Sequence, residues 1–464
     1  MGKIVAVHAP GDEALLVALS GWLPVQRWFP AKGVAARLEC VGGVTLPDPR
    51  DEASVRILLV RLRAPDIDSV LQVPVTVRAP GQRAPAEVIG SVVEVDPVAT
   101  PARPRTEVRD GVGDPAFLRA WLAAADGPGV AVDPDRANLL SGEQSNSSVI
   151  LPAAGPAGPG AILKVFRTLA AGDNPDVDVP RALAAAGWPH VARPLAWLEA
   201  AWSVDGEPVR GHLGVLSEFV PNARDGFELA CAMVGRGESF VGLARDLGAT
   251  IAEMHERLAL ALPTPAATVG IDRSGDLAVS VRERFRWAAR SVPGLGRYAD
   301  DVEFLATRTR TLGEPPARQR IHGDLHLGQV LHADTGWLVL DFEGEPLAPV
   351  AARSRPDLAL RDVAGMLRSI DYAVAVGGAE GVAGGVATPT PADRDWADEA
   401  RAGLLAGYFR GADDAATAVT LRALEVEKAL YEVVYEARNR PTWVRVPLSA
   451  LDRLLDRAAD AGAG

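Results

Sequence analysis

The stretch that most constrains this chain is residues 319–345, Gln-Arg-Ile-His-Gly-Asp-Leu-His-Leu-Gly-Gln-Val-Leu-His-Ala-Asp-Thr-Gly-Trp-Leu-Val-Leu-Asp-Phe-Glu-Gly-Glu. Two short strands are expected in it, Gln329 to His332 and Trp337 to Asp341. Ala333–Gly336 between them reads as a turn, because Asp and Gly adopt turn conformations at little cost. In that register His332 faces Trp337 and Gln329 faces Leu340, so Gln329 and Asp341 meet at the open end of a hairpin. Asp324 lies on the loop that leads in. Phosphoryl transfer from ATP needs such parts: a carboxylate that takes the proton of the attacking hydroxyl, and an amide and a second carboxylate that hold magnesium on the phosphates. Asp324 fits the first role, Gln329 and Asp341 the second. Two other readings stand beside this one. A lone Asp at a strand end is often a cap or a surface charge. His322, His326 and His332 are three of only seven histidines, which raises a zinc site, although no His-Glu-x-x-His helix accompanies them.

A chain of 464 residues has room for roughly two or three domains and a large core. A net charge of −12 argues against nucleic acid and anionic membrane as partners. Cys40 and Cys231 imply no disulfide framework, the N-terminal residues lack a signal-peptide core, and no apolar run reaches membrane-spanning length. The expected compartment is the cytoplasm.

Residues 13–33 read as a helix followed by Gln26-Arg-Trp-Phe-Pro-Ala-Lys-Gly, with Trp22, Trp28 and Phe29 in the core and Arg27 and Lys32 either on the surface or on an anionic ligand. Val55–Leu62, Val70–Val77 and Val88–Val95 alternate with period two and are expected to be half-buried antiparallel strands. The Pro-rich stretch from Asp96 marks a boundary. The domains expected are a β-rich cap over 1–95, an ATP-binding lobe over 96–220 and a mainly helical lobe over 221–464.

In the second segment, a helix near Pro115–Ala125 precedes the polar run Ser141-Gly-Glu-Gln-Ser-Asn-Ser-Ser, and the strand Ala161–Phe166 carries one Lys. Lys164 would hold ATP phosphates, and the amides and hydroxyls of a loop including Gln144, Ser145, Asn146 and Ser147 would cap them. Asp178 is the first choice as partner of Lys164 and Asp176 the second. The backbone of Glu218 and Val220, at the end of the strand Leu213–Val220, would meet adenine, unless this is a plain core strand.

The rest reads as helical. Leu243–Leu258 ends at His255, expected as a packed helix-end histidine. Asp362 and Arg361 could brace the Asp324 loop, and 377–393 reads as a flexible loop. On the last informative helix, Leu421–Arg440, the residues Lys428, Glu432, Tyr435, Glu436 and Asn439 share one side, with Tyr431 at its edge and Trp443 beyond Pro441. Such a face suits a sugar, through ring stacking and hydroxyl hydrogen bonds, or is simply solvated.

These motifs, from Gln26-Arg-Trp-Phe through Glu143-Gln-Ser-Asn-Ser-Ser-Val, His322-Gly-Asp-Leu-His-Leu-Gly-Gln, Asp341-Phe-Glu-Gly-Glu-Pro and Leu360-Arg-Asp-Val-Ala-Gly-Met-Leu-Arg-Ser to Tyr431-Glu-x-x-Tyr-Glu-Ala-Arg-Asn-Arg-Pro-x-Trp, resemble the actinobacterial maltokinases. The resemblance implies an α+β, bilobal, aminoglycoside-phosphotransferase-like kinase fold with a β-rich N-terminal cap and a mainly helical C-lobe. It implies ATP and Mg2+ as cofactors and transfer of the γ-phosphate to the anomeric hydroxyl of maltose, giving maltose 1-phosphate for glycogen synthesis. By it Asp324 is the base, Gln329 and Asp341 hold magnesium, and Lys164 binds phosphate. His322, Glu432, Tyr435, Glu436, Arg440 and Trp443 are the substrate candidates. Asp178 departs from the family's longer Glu, Pro30-Ala31 from its small Ala-Gly pair, and Arg445 stands where a Pro is usual. A kinase of glucosamine or glucose, or a maltose-sensing pseudokinase working with trehalose synthase, remains as the alternative.

Overall fold

The computed structural model describes residues 4–82, 84–92, 106–140, 145–155, 158, 160–264, 273–311, 317–344, 353, 355–378, 386, 388–411 and 414–456. The chain divides into two compact units, one of Met1–Arg181 with Ala192–Val220, the other of Ala182–Val191 with Pro221–Gly464.

The first unit holds two antiparallel sheets. One runs in the order Arg37–Leu46, Ser54–Ala64, Ile67–Arg78, Thr106–Asp110, Val88–Val92, and Thr168–Leu169 pairs with Ile67–Arg78. Period two sorts the strand Ser54–Ala64 onto two faces. Leu58, Val60 and Leu62 pack with Leu16, Leu19, Trp28 and Phe29. Val55, Ile57 and Leu59 pack with Phe117, Trp121 and the second sheet. The expected half-buried strand is therefore buried on both sides. Its arginines Arg56 and Arg61 are themselves buried, held by Asp12 at 2.7 Å and Asp68 at 2.8 Å. The sequence pattern also missed the strand Arg37–Leu46, which is interrupted by Gly42-Gly43 and a register shift. Gly43 is needed there, since a Cβ would lie 2.9 Å from the Arg56 guanidinium.

The second sheet runs Pro194–Val204, Glu207–Glu218, Ala161–Val165, Ser147–Leu151, Asn138–Leu139. Leu163 and Val165 face the core, so Lys164 points from the opposite face. Gln72 joins the sheets: its buried amide donates to the carbonyls of Phe166 and Leu213, both at 2.7 Å.

Among the described residues, the second unit is helical except for loops and a three-stranded sheet of Arg224–Asp225, Val330–Ala333 and Gly336–Val339. Helices Val241–Ala261 and Pro391–Phe409 approach closely through Gly248 and Gly407, where a Cβ would lie 2.0 Å from the Leu404 carbonyl and 1.9 Å from that of Arg245. The helix carrying Glu432 starts at Ala415, earlier than its apolar periodicity suggests, because Asp414 caps it by accepting from Thr417 N–H at 2.7 Å. Pro391, capped by Thr390, ends the expected 377–393 loop; its residues 379–385 and 387 lie outside the described residues.

Candidate active site

The hairpin forms in the expected register, His332 opposite Trp337 and Val330 opposite Val339, with the turn at Asp334-Thr335. Leu340 N–H donates to Gln329 C=O at 2.9 Å. The strands are Val330–Ala333 and Gly336–Val339; the first starts one residue later than expected, because Leu327–Gln329 is a 3-10 turn opened by His326, and the second ends two residues earlier. The Trp337 indole, almost fully buried, donates to Leu243 C=O and fixes the hairpin on its helix.

Gln329 and Asp341 meet, the amide Nε2 donating to Asp341 Oδ2 at 3.0 Å. Asp341 sits at φ +59°, a conformation Asp tolerates better than most residues. A Glu343 carboxylate oxygen lies within 4.8 Å of one on Asp341, a proximity the hairpin reading did not foresee. The Gln329 side-chain amide oxygen and the Asp341 and Glu343 carboxylates would offer hard oxygen donors, the kind that fits magnesium. The three loop histidines do not gather into a zinc site. His322 Nε2 meets Leu340 C=O at 2.8 Å, His326 Nδ1 accepts from Gly328 N–H, and His332 packs edge-on against Trp337. Burial pushes the His326 pKa down, keeping the ring neutral.

One helix, Leu360–Gly377, grips the loop along a single stripe at three- and four-residue steps. Asp362, buried, accepts from His322 N–H at 2.8 Å, Gly323 N–H at 2.9 Å and His255 Nε2 at 3.0 Å. Gly365 lets the loop approach, since a Cβ would stand 2.5 Å from Leu325 C=O. Ser369 Oγ accepts from Leu327 N–H at 2.9 Å. Burial raises the Asp362 carboxyl, but the His255 hydrogen bond, the nearby histidines and the Gly323 N–H outweigh it and hold the group below the usual range. Arg361, expected to brace the loop too, instead pairs with Asp357 at 2.7 Å and Glu427 at 3.1 Å.

His322 does not face a substrate. It is 1% exposed, and while Nε2 is on Leu340, Nδ1 accepts from Asp324 N–H at 3.3 Å. Its ring ties the loop to the hairpin. Asp324 itself is paired with Lys428, Nζ to Oδ1 at 3.2 Å, a residue the sequence placed only on a helix face. The signal was present: four of the 48 basic residues are lysines, and two of them, Lys164 and Lys428, sit on carboxylates at the candidate positions.

Along the same helix, Glu432 takes Arg368 at 2.8 Å, and Glu436 takes Arg440 Nη2 at 2.7 Å, Arg440 Nε at 2.9 Å and the Tyr372 hydroxyl at 3.1 Å. Burial pushes the Glu432 carboxyl up. Tyr435 is exposed and stacks on Tyr431, Trp443 stacks on Tyr372, and the Arg440 guanidinium lies 4.3 Å from the Trp443 ring centroid. Arg445 donates to Thr388 Oγ.

In the first unit, Lys164 pairs with Asp176 at 2.8 Å, not with Asp178. Asp178 turns to Arg181 at 3.4 Å, its Oδ2 is buried with no hydrogen-bond partner among the described residues, and burial raises its pKa. The polar loop also differs from expectation. Gln144 lies outside the described residues and Ser145 is exposed, whereas Asn146 and Ser147 are buried and turned towards Arg167. Asn146 Oδ1 accepts from Arg167 N–H at 3.3 Å, and Ser147 Oγ accepts from Arg167 Nε at 2.8 Å. Their side chains anchor the loop to Arg167. The Arg167 guanidinium lies 4.4 Å from the Trp28 ring centroid. Glu218 N–H already donates to Arg193 C=O at 2.9 Å, so it is not available to adenine; Val220 ends the first unit.

Residues 22–100 match the family model described as the maltokinase N-terminal cap domain. Among curated proteins, the chain is 33% identical over 259 residues to a glucosamine kinase of Mycolicibacterium smegmatis and 32% identical over 260 residues to one of Streptacidiphilus jiangxiensis. Each match takes in 52% of this chain, and the chain spans 62% and 58% of those relatives' lengths. Among solved structures, a glucosamine kinase in complex with glucosamine, ADP and inorganic phosphate superposes with a TM-score of 0.59 at 24% identity, covering 94% of this chain and 99% of the other. A second crystal form of a glucosamine kinase gives 0.59 at 23%. The chain thus matches a maltokinase-type N-terminal cap over residues 22–100 and shares the fold of the glucosamine kinases.

Proposed function

We propose that the protein is an ATP- and magnesium-dependent sugar kinase whose acceptor is maltose, forming maltose 1-phosphate for α-glucan synthesis. The observation that carries the kinase reading is the meeting of Gln329 with Asp341 beside the Asp324 loop, in which Asp362 holds the His322 and Gly323 N–H groups and His322 the N–H of Asp324. Phosphoryl transfer needs little covalent help, so positioning and electrostatics are the main demands on the protein. Asp324 would orient the sugar hydroxyl and take its proton. Gln329 and Asp341, with Glu343, would hold magnesium, which would neutralise phosphate charge when bound. Lys164, held by Asp176, would bind phosphate.

The maltose reading is supported by the cap match and by the state of the sugar-facing carboxylates. An amino sugar is best recognised by a carboxylate free to pair with its ammonium. Glu432 and Glu436 are both already neutralised by arginines, which suits an uncharged sugar. Glucosamine is the second reading, favoured by the two glucosamine kinases among its relatives. Association with trehalose synthase would follow from the maltose reading alone. The test is magnesium-dependent ADP release with ATP and maltose, glucosamine, glucose or trehalose. Selective turnover of maltose supports the proposal, and turnover of glucosamine in its place overturns the acceptor.

A further inference from the structure

We propose that Lys428 is a catalytic residue of the transfer, its ammonium meeting the phosphoryl group as the sugar oxygen attacks; this rests on the kinase reading above. Lys428 projects from the long helix Ala415–Asn439, remote in sequence from the loop, yet its Nζ reaches Asp324 Oδ1 at 3.2 Å. It also lies 5.7 Å from the Tyr431 ring centroid, a cation–π arrangement that confines the amine on its other side. Glu427, next in sequence, is held by Arg361 at 3.1 Å, and Glu432, one turn further along, by Arg368 at 2.8 Å.

A purely structural role accounts poorly for this placement. The Lys428 side chain is 30% exposed and that of Asp324 18%, and half-open ion pairs of this kind contribute only about 0–1 kcal/mol to folding. The pair instead places a positive charge on the one carboxylate assigned to the reacting hydroxyl. In the reaction the sugar oxygen forms a bond to the γ-phosphorus, the bond from that phosphorus to the bridging oxygen of ADP breaks, and the hydroxyl proton passes to Asp324. Negative charge on the three non-bridging oxygens is then closest to whatever accompanies Asp324. A preorganised ammonium there is worth more in the transition state than in the ground state.

The experiment uses the full chain with Lys428→Met and Lys428→Arg. Sugar-dependent ADP release gives kcat and KM, calorimetry gives affinity for magnesium-ADP, and the same titration with aluminium fluoride and sugar reports capture of a transition-state mimic. The expected result for Lys428→Met is a fall in kcat of roughly 100- to 1,000-fold. KM for ATP should stay within about twofold, the melting temperature should be unchanged, and the extra affinity conferred by aluminium fluoride should be lost. Lys428→Arg should recover part of kcat. Unchanged or increased kcat in Lys428→Met, or a kcat loss with aluminium fluoride capture intact, overturns the assignment and leaves Lys428 as a partner of Asp324 alone. A wild type that releases no ADP with any sugar overturns this proposal and the kinase reading together, whereas a working wild type beside a fully active Lys428→Met overturns only this one.

Discussion

The two candidate halves of the reaction are built in opposite ways. Around Asp324 the candidate residues, Lys428 apart, lie within one loop and hairpin, and the loop is held by a single helix stripe, Asp362, Gly365 and Ser369. Around Lys164 the roles are scattered. Its partner lies on the next helix, and the polar loop is fastened by Arg167, which itself reaches Trp28 near the N-terminus and Asp110. A compact, locally encoded site tolerates little change in its brace. A dispersed one should lose function by degrees. The contrast orders the expected effects of mutation.

The largest effect belongs to Asp324→Asn, which keeps shape and removes the base. Sugar-dependent ADP release should fall roughly 1,000-fold while magnesium-ADP affinity stays within about twofold. Near-full activity would show that the loop is not the reacting element. Next is Asp362→Ala, which strands two buried N–H donors and His255. Denaturant unfolding should show a loss of about 3–5 kcal/mol. The pH dependence has a definite sign. The folded pKa of Asp362 is lowered, so its stabilisation is full above the unfolded value of about 3.9 and disappears as pH falls through the folded value. The stability gap between wild type and Asp362→Asn should therefore be constant near neutrality and close in acid; a gap that widens on acidification would reverse the assignment. Gly365→Ala comes third. Its Cβ must displace Leu325 C=O, so a cost of about 1–3 kcal/mol is expected, with kcat falling more than a surface helix change of equal cost.

This contrast also explains what could be read from the sequence. The hairpin was legible to the residue because strand register and turn chemistry are local: His332 opposite Trp337 follows from counting back from Gly336. Asp362 was legible as a brace because it opens a helix near the loop, while Arg361 beside it was misjudged, since adjacent helix positions point about 100° apart. His322 looked like a ligand because a histidine beside a candidate base usually is considered one; only the fold shows Leu340 C=O closing on it. Lys428 lies 104 residues from Asp324, and no local rule links them. Asn146 and Ser147 have the composition of a phosphate loop, but a side chain in a loop turns inward when a buried arginine waits there, and Arg167 reads as an ordinary basic residue in the chain.

The smallest predicted effect is also the most discriminating, because it separates two aspartates in one helix. Asp176 and Asp178 are two residues apart on Pro175–Ala185, which places them about 200° apart around the axis. Only one can face Lys164, and sequence alone does not phase a helix whose first turn is uncertain. Val177 and Val179, both buried, lie between and beyond them, so neither aspartate stands on an obviously wet side. In the structure Asp176 takes Lys164 from the first turn, and its side chain is only 7% exposed. Asp176→Asn should loosen Lys164 and raise KM for ATP by about tenfold, a change of about 1.4 kcal/mol. Asp178→Asn should move it less than twofold, because that carboxyl meets only Arg181 at 3.4 Å and its second oxygen has no partner to lose among the described residues. If the two variants behave alike, Lys164 does not depend on Asp176 for its position, and the dispersed half of the site is held by Arg167 and the strand register instead.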